Sequence, residues 1–272
     1  MLFYLTTQPL WVSGIIIVGL TSVLAMLGPL FVRRHVALER LTTNNEIAGF
    51  KFATVGVLYA VLLAFAIIIV WERFSNAETT VAQEAGAAET IYRLSFGIGG
   101  EPGVQLRAAL TNYLKAAVAD DWPAMDRGTM SATRPVRQAL DRLYSALLGF
   151  EFSQRNSAAL ASEIFHQLDV ITQARRVRLV ASEGAVPGVI WFVLFGGAIL
   201  TVIFTFFFGT RSLAAQTIMT GLLSLLIFSE LLAIVAIDRP FSGTVKVQPH
   251  ALADVLADFT APAATPAAPG QH

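Results

Sequence analysis

The uncharged stretch FATVGVLYAVLLAFAIIIVW, residues Phe52 to Trp71, decides the fold class. It lies between Lys51 and Glu72, and it has the length of about 20 residues that an α-helix needs to cross the apolar core of a bilayer. A helix is favoured in lipid because it satisfies its backbone polar groups internally. We therefore predict a transmembrane helix over residues 52–71.

Three more stretches have the same character, over residues 10–32, 186–209 and 212–237. The whole chain is 55% hydrophobic and only 14% charged, which is too apolar for an ordinary soluble domain. The first stretch is not preceded by Lys or Arg and is too long for the core of a signal peptide, so we interpret it as a retained anchor. The sequence predicts an all-α integral membrane protein with four transmembrane helices.

The region between the second and third spans is polar and helical in pattern. No helix breaker follows Trp71, so the second helix is expected to continue from Lys51 to Leu94 and to end at the Gly-rich residues 96–103. Apolar residues at helical spacing then predict three further helices. The expected organisation is therefore two spans over residues 1–72, a soluble helical insertion over 73–185, two spans over 186–248, and a short amphipathic segment with a disordered Ala/Pro tail over 249–272.

The third and fourth spans are predicted to form an antiparallel hairpin joined by two residues, Thr210 and Arg211. Small residues recur every four positions on the third span, a stripe that lets a neighbouring helix approach closely: Gly197, Thr201, Thr205 and Gly209.

Composition and motifs argue against several classes of function. The 19 basic and 19 acidic residues give no net charge and form no basic run, so nucleic acid is not an expected partner. The chain has no Cys, and its four His residues show no ligand spacing, so neither a metal site nor a cofactor is predicted. No nucleophile elbow or phosphate-binding loop is present. We predict no catalytic residues and no enzyme activity.

Glu230 is the one acidic residue inside a predicted span. An ionisable group at that depth is costly unless it faces a cavity or a partner, which makes it a candidate for an ion path or for proton coupling. The alternative is structural: a protonated Glu230, or one bonded to Ser229 or to a Thr of the third span, would tie helices together.

The second span presents two kinds of helical face. Small residues lie on one, which we expect to pack against protein: Ala53, Gly56, Ala60 and Ala64. Bulky residues lie on the opposite face: Leu58, Leu62, Phe65 and Ile69. The bulky face could line a hydrophobic constriction in an oligomer. Lipid contact explains it equally simply.

Four motifs resemble those of the bestrophin-like family of bacterial and plant membrane proteins, designated DUF4239. They are NNEIAGF at residues 44–50, YAVLLAF at 59–65, VWERF at 70–74 and DRPFSG at 238–243. The residues of the first and last motifs that we single out are Asn45, Glu46, Gly49, Pro240, Phe241 and Gly243. The resemblance to the family covers about residues 10 to 250.

This resemblance extends more distantly to bestrophins, which are pentameric anion channels. It implies a homo-oligomer, a channel neck formed by the second helix, and small anions as the transported species. The second helix here is longer by about a turn, so no neck residue is transferred. Residues 244–247 replace the acidic run of calcium-gated bestrophins, so calcium gating is not implied.

The sequence leaves alternatives open for both the membrane orientation and the function of the protein. Lys and Arg residues near the spans are nearly balanced, whereas the resemblance implies termini and insertion on the cytoplasmic side of a bacterial inner membrane. Two other functions fit the residues: a membrane-anchored scaffold without transport activity, and a small proton-coupled carrier that uses Glu230.

Overall fold

We describe a computed structural model of the chain over residues 8–43, 45–128, 133–149 and 155–261, without the side chains of residues 155–157. Every regular element in this part of the chain is helical, as the sequence predicts. The predicted disorder of the Ala/Pro tail concerns residues that lie almost wholly outside the described ranges.

Four helices are long and apolar enough to cross a membrane. They are α1 (Leu10–His35), α3 (Asn45–Ile98), α8 (Gly188–Thr205) and α9 (Leu213–Ile237), and the short α2 (Leu38–Thr42) joins the first two. A π-helical segment, Ile15–Leu20, lies within α1. The prediction of four apolar spans is confirmed.

The chain forms two compact units, which α3 shares. Unit 1 comprises Met1–Ser75 and Gly184–Lys246, and unit 2 comprises Asn76–Glu183 and Val247–His272. The second helix is longer than predicted at both ends. It ends where Gly99 and Gly100 adopt φ values of 69° and 57°, a left-handed conformation that favours glycine.

Unit 1 is held together by close contacts between α1, α3, α8 and α9. A Cβ on Gly221 of α9 would lie 2.8 Å from Met26 of α1, and one on Gly14 would lie 3.6 Å from Leu232. Gly14, near the start of α1, thus lies by a late residue of α9, and Met26, further along α1, lies by an earlier one. Helices α1 and α9 are therefore antiparallel. The core between the helices includes Val70, Leu194 and Leu231, which are fully or almost fully buried.

The predicted two-residue link between the third and fourth spans is wrong. Helix α8 ends at Thr205 and α9 begins at Leu213, so residues 206–212 form the connection. Residues 206–208 form successive turns after the end of α8. The Ser212 hydroxyl accepts a hydrogen bond from the Ala215 N–H at 3.3 Å and so caps α9. The two helices still meet as a hairpin, since the Thr205 and Thr220 hydroxyls lie 3.4 Å apart.

Unit 2 packs the last part of α3 with α4 (Gly100–Ala116), α5 (Trp122–Asp126), α6 (Arg134–Leu148), α7 (Arg155–Ala181) and α10 (His250–Thr260). A π-helical segment, Ala117–Asp121, joins α4 to α5. The apolar residues that predict α6 are all buried: Val136, Leu140, Leu143 and Leu147. Helix α10 packs on α4 and stacks Phe259 on Tyr92, with ring centroids 3.8 Å apart.

Candidate functional site

On the part of α3 that lies in unit 1, one face is not covered by the other described helices of that unit. On it, Leu58 is 68% exposed, Phe65 62% and Ile69 53%. Leu62 differs from these three because it is half-buried and packs against the core. The structure therefore groups three of the four predicted pore-lining residues on one open apolar surface, which we call the α3 face.

An adjoining face of α3, about 100° around the helix from Leu58, packs on α8 through Tyr59. The Tyr59 hydroxyl donates a hydrogen bond to the Leu194 carbonyl oxygen at 2.8 Å, and a Cβ on Gly197 would lie 2.6 Å from the Tyr59 ring. The predicted small-residue stripe does permit close approach, since a Cβ on Gly209 would also lie 2.8 Å from the Thr42 backbone nitrogen. This packing fixes which side of α3 stays uncovered.

The small-residue face predicted on α3 is not the face that packs on the other described helices of unit 1. Ala53, Ala60 and Ala64 are exposed, and a Cβ on Gly56 would meet no heavy atom within 4 Å. Residues Tyr59, Leu63, Ala66 and Val70 make the contacts instead. The spacing of small residues along α3 could not identify its packing face. Tyr59 is large, but it packs there because Gly197 of α8 has no side chain in its way.

Glu230 is half-buried on α9. Its carboxylate forms no hydrogen bond or ion pair with the residues that the structure describes, so the expected bonds to Ser229 or to a Thr of α8 are not made. The structural interpretation of this residue therefore has no hydrogen bond to support it.

Asn45 connects the first turn of α3 to the α8–α9 connection. Its side-chain amide donates to the Gly209 carbonyl oxygen at 2.7 Å, and its Oδ1 accepts from the Gly209 N–H at 3.1 Å. Glu46 lies in the first turn of α3, where a negative charge is favourable at the positive end of the helix dipole. Gly49 lies against Phe208, which a Cβ would contact at 3.9 Å. The first motif thus has a structural role at this end of unit 1.

The last motif organises the segment that follows α9. Phe241 is 1% exposed, and Gly243 has a φ of 87° that suits glycine. The Asp238 carboxylate accepts a hydrogen bond from the Val186 N–H at 2.9 Å, and the Asp238 carbonyl accepts one from Ala185 at 3.1 Å. Burial raises the pKa of Asp238, against the lowering effects of the Val186 hydrogen bond and of Arg239. Pro240, between Arg239 and Phe241, completes the turn.

Unit 2 contains a buried cluster of ionised groups that sequence reasoning missed. Arg178 of α7 donates to both oxygens of Glu84 on α3, at 2.9 and 3.0 Å, and Tyr113 of α4 donates to Glu84 at 2.6 Å. Arg175 donates to both oxygens of Asp121. Glu84, Asp121 and Arg178 are all fully buried. The two acids and two bases compensate each other, which is the condition under which buried charges are tolerated.

Burial and the nearby Glu84 carboxylate raise the pKa of Tyr113 well above its ordinary value. Burial is the largest single effect on Arg178 and lowers its pKa, but Glu84, Tyr113 and Asp121 together outweigh burial, and the pKa of Arg178 is raised. Both shifts favour a neutral tyrosine and a charged arginine beside the carboxylate. The cluster therefore works as a structural connection between α3, α4 and α7 rather than as an acid–base site.

No group of three His, Asp or Glu residues that could hold a metal ion occurs within the described ranges.

Three comparisons with known proteins bear on this architecture. A family model described as the Bestrophin-like domain matches residues 19–252. A bacterial bestrophin homologue from Klebsiella pneumoniae matches with a TM-score of 0.69 at 15% identity, over 90% of this chain and 98% of that one. Another mutant of the bestrophin homologue from that organism matches with a TM-score of 0.67 at 16% identity, over 89% of this chain and 95% of that one. A crystal structure of a membrane protein matches with a TM-score of 0.71 at 16% identity, over 90% of this chain and 98% of that one. The search of curated proteins finds no match.

Proposed function

The chain belongs to the Bestrophin-like family, and from that premise we propose that it forms a homo-oligomeric channel for small anions. By its resemblance to bestrophins the assembly is a pentamer. The observation that carries the proposal is the α3 face, on which Leu58, Phe65 and Ile69 remain exposed although an adjoining face of the helix is packed. The fold similarity to bacterial bestrophin homologues supports it.

In this assembly the α3 helices of several copies surround a central axis. Their apolar side chains form a constriction whose wetting controls ion passage. Leu62 lies outside the constriction because it packs against the core of its own chain. The protein resides in a bacterial inner membrane, and both termini and the helical insertion lie on its cytoplasmic side.

The direct test combines oligomeric state with ion flux. Purified protein in nanodiscs is expected to be a closed oligomer of one size, and liposomes that contain it are expected to pass chloride. A monodisperse oligomer without anion flux would contradict the channel. A monomer in nanodiscs would remove the central pore and favour a membrane-anchored scaffold.

A proton-coupled carrier is the second candidate. The observation that favours it is Glu230, which is half-buried and has no hydrogen bond to the part of the chain that the structure describes. A carrier would show saturable flux whose pH dependence is lost in Glu230→Gln, with assembly intact. Channel flux, in contrast, would be non-saturable and unaffected by that substitution.

A further inference from the structure

One end of unit 1 carries an excess of positive charge. There Arg33, at the end of α1, donates a hydrogen bond to the Thr210 carbonyl oxygen of the α8–α9 connection, and Asn45 joins the start of α3 to the same connection. We call the surface formed by residues 33–51 and 206–212 the basic end. It contains two acidic residues, Glu39 and Glu46, and five cationic ones: Arg33, Arg34, Arg40, Lys51 and Arg211.

The cations of the basic end have no carboxylate partner. None of the five forms an ion pair within the part of the chain that the structure describes. Arg33 is half-buried, and the other four are exposed. The opposite end of unit 1 is closer to balance, with two acids and three cations: Glu72, Asp238, Arg73, Arg239 and Lys246. A negatively charged partner is therefore favoured at the basic end.

An apolar groove of about 390 Å³ opens at the basic end. Thr210, whose carbonyl oxygen accepts the hydrogen bond from Arg33, lines the groove, and Arg211 is the next residue. Phe52 lines the groove from α3, and Lys51 directly precedes it. Three of the five cations thus lie at the mouth of the groove.

From this mouth the groove follows α9 into the apolar part of unit 1. It extends along that helix as far as Leu223, ten residues beyond the first residue of α9, Leu213, which corresponds to about 15 Å at 1.5 Å per residue. The apolar core of a bilayer is about 30 Å thick, so the groove is about as deep as one leaflet. Met219 lines the groove and is 66% exposed, so the groove is open along its side.

The interior of the groove suits a hydrocarbon chain. The Phe52 and Phe208 rings form part of its wall, with centroids 5.6 Å apart. The lining hydroxyls have partners within the protein, since Thr205 donates to the Val202 carbonyl oxygen at 2.6 Å and lies 3.4 Å from the Thr220 hydroxyl. An occupant therefore needs an apolar body inside the groove and a negative charge at its mouth.

We propose that the groove binds an acyl chain of an anionic phospholipid, whose phosphate contacts Arg33, Lys51 and Arg211. Charge-assisted hydrogen bonds from Arg and Lys to phosphate are strong, and a guanidinium has five N–H donors, so Arg33 can bind Thr210 and a phosphate together. Basic pockets between transmembrane helices bind lipid head groups in this way. The proposal does not depend on ion transport.

Other occupants match only one of the two features. Free phosphate would leave the apolar groove empty. A zwitterionic lipid would fill the groove but bring a second positive charge to the basic end. A helix of another copy, with a diameter of about 10 Å, is too wide for a groove of this volume.

The test measures lipid binding to the full chain in detergent by native mass spectrometry. Dioleoylphosphatidylglycerol and dioleoylphosphatidylcholine have the same acyl chains, and only the first has a net negative head group. We expect the phosphatidylglycerol to bind about tenfold more tightly, the effect of one hydrogen bond between charged groups. The double variant Lys51→Gln with Arg211→Gln, which changes two exposed residues at the mouth, should bind the two lipids alike.

Arg34→Gln with Arg40→Gln is the matched control for charge. It removes two exposed cations from the same basic end, but neither residue is next to a lining residue. This variant is expected to keep the tenfold preference for phosphatidylglycerol. Loss of the preference in both double variants would show attraction by the whole basic end and would overturn the proposal.

Substitutions on α9 test the acyl chain. Leu223→Trp fills the groove, and Met219→Trp obstructs its exposed side without changing a buried residue, so each should weaken phosphatidylglycerol binding at least tenfold. Leu222→Trp is the control, since Leu222 is 62% exposed and does not line the groove, and its binding should be unchanged.

Three results would contradict an anionic lipid in the groove. They are equal affinity of the two lipids for the unmodified protein, undiminished phosphatidylglycerol binding to both Leu223→Trp and Met219→Trp, and displacement of phosphatidylglycerol by an equal concentration of glycerol phosphate. The last result would identify a site for the phosphate group alone.

Discussion

Asp238 shows how a single buried carboxylate can set a pH dependence. Because burial raises its pKa above the ordinary value of 3.8, the folded protein binds this proton more tightly than the unfolded chain does. The free energy of unfolding contributed by Asp238 is then highest below the unfolded pKa. It falls as pH rises through the raised value.

We therefore expect Asp238→Asn to flatten the pH dependence of the melting temperature between acid and neutral pH. The asparagine keeps an oxygen for the Val186 N–H but carries no charge, so at neutral pH the variant should be as stable as the original or more so. Exposed Asp254 of α10 provides the control, and Asp254→Asn should leave the profile unchanged. An unaltered profile in Asp238→Asn would contradict the argument.

Gly196 and Gly197 are adjacent on α8 but have different surroundings, so alanine substitutions at the two positions distinguish the effect of helix propensity from that of packing. A Cβ on Gly197 would lie 2.6 Å from the Tyr59 ring, whereas one on Gly196 would meet nothing within 4 Å. Gly197→Ala is expected to destabilise unit 1 by about 1–3 kcal/mol through overpacking. Gly196→Ala is expected to be neutral or to stabilise by up to about 1 kcal/mol. Thermal unfolding in one detergent compares the two, and equal melting temperatures would refute the contact.

At the scale of elements, the part of α3 in unit 2 is connected to α7 by the ion pair of Glu84 and Arg178. Removing one partner leaves a charge buried without compensation, which typically costs about 3–5 kcal/mol, so Arg178→Met should be severely destabilised. The double variant Glu84→Gln with Arg178→Met should recover most of that loss. The measurement is the free energy of unfolding around the mutant cycle.

The exposed pair of Arg93 and Glu89 on the same helix is the matched control for this cycle. Arg93→Met should cost less than about 1 kcal/mol, since ion pairs in water contribute little. If Arg178→Met proved as mild as Arg93→Met, the cluster would not hold α3 to α7.

Sequence reasoning predicted the elements better than their connections. Long apolar stretches identify α1, α3, α8 and α9 because lipid imposes their length and composition, and helical spacing identifies α6 because each apolar position faces the core. The α8–α9 connection could not be predicted, since nothing in the apolar run Phe206 to Phe208 indicates that the helix has ended. The ionic cluster was equally hidden because Glu84, Asp121 and Arg178 are far apart in sequence.

At the scale of the whole molecule, the α3 face is one of several open apolar surfaces on unit 1. Apolar side chains on these surfaces contact lipid unless the assembly places them in the pore. Phe65 of α3 is 62% exposed and Phe192 of α8 is 80% exposed. Only the oligomer that we propose assigns these two phenylalanines to different surroundings.

This difference gives the last prediction. If Phe65 lies in the constriction, Phe65→Ala widens an apolar gate that otherwise dewets, and chloride flux into liposomes should rise several-fold. Phe192→Ala removes the same number of atoms from a residue that contacts lipid in the proposed assembly, and its flux should equal that of the original protein. Both variants must first show the same oligomeric size in nanodiscs. Equal flux in the two variants would mean that α3 does not line the pathway, even if the protein conducts anions.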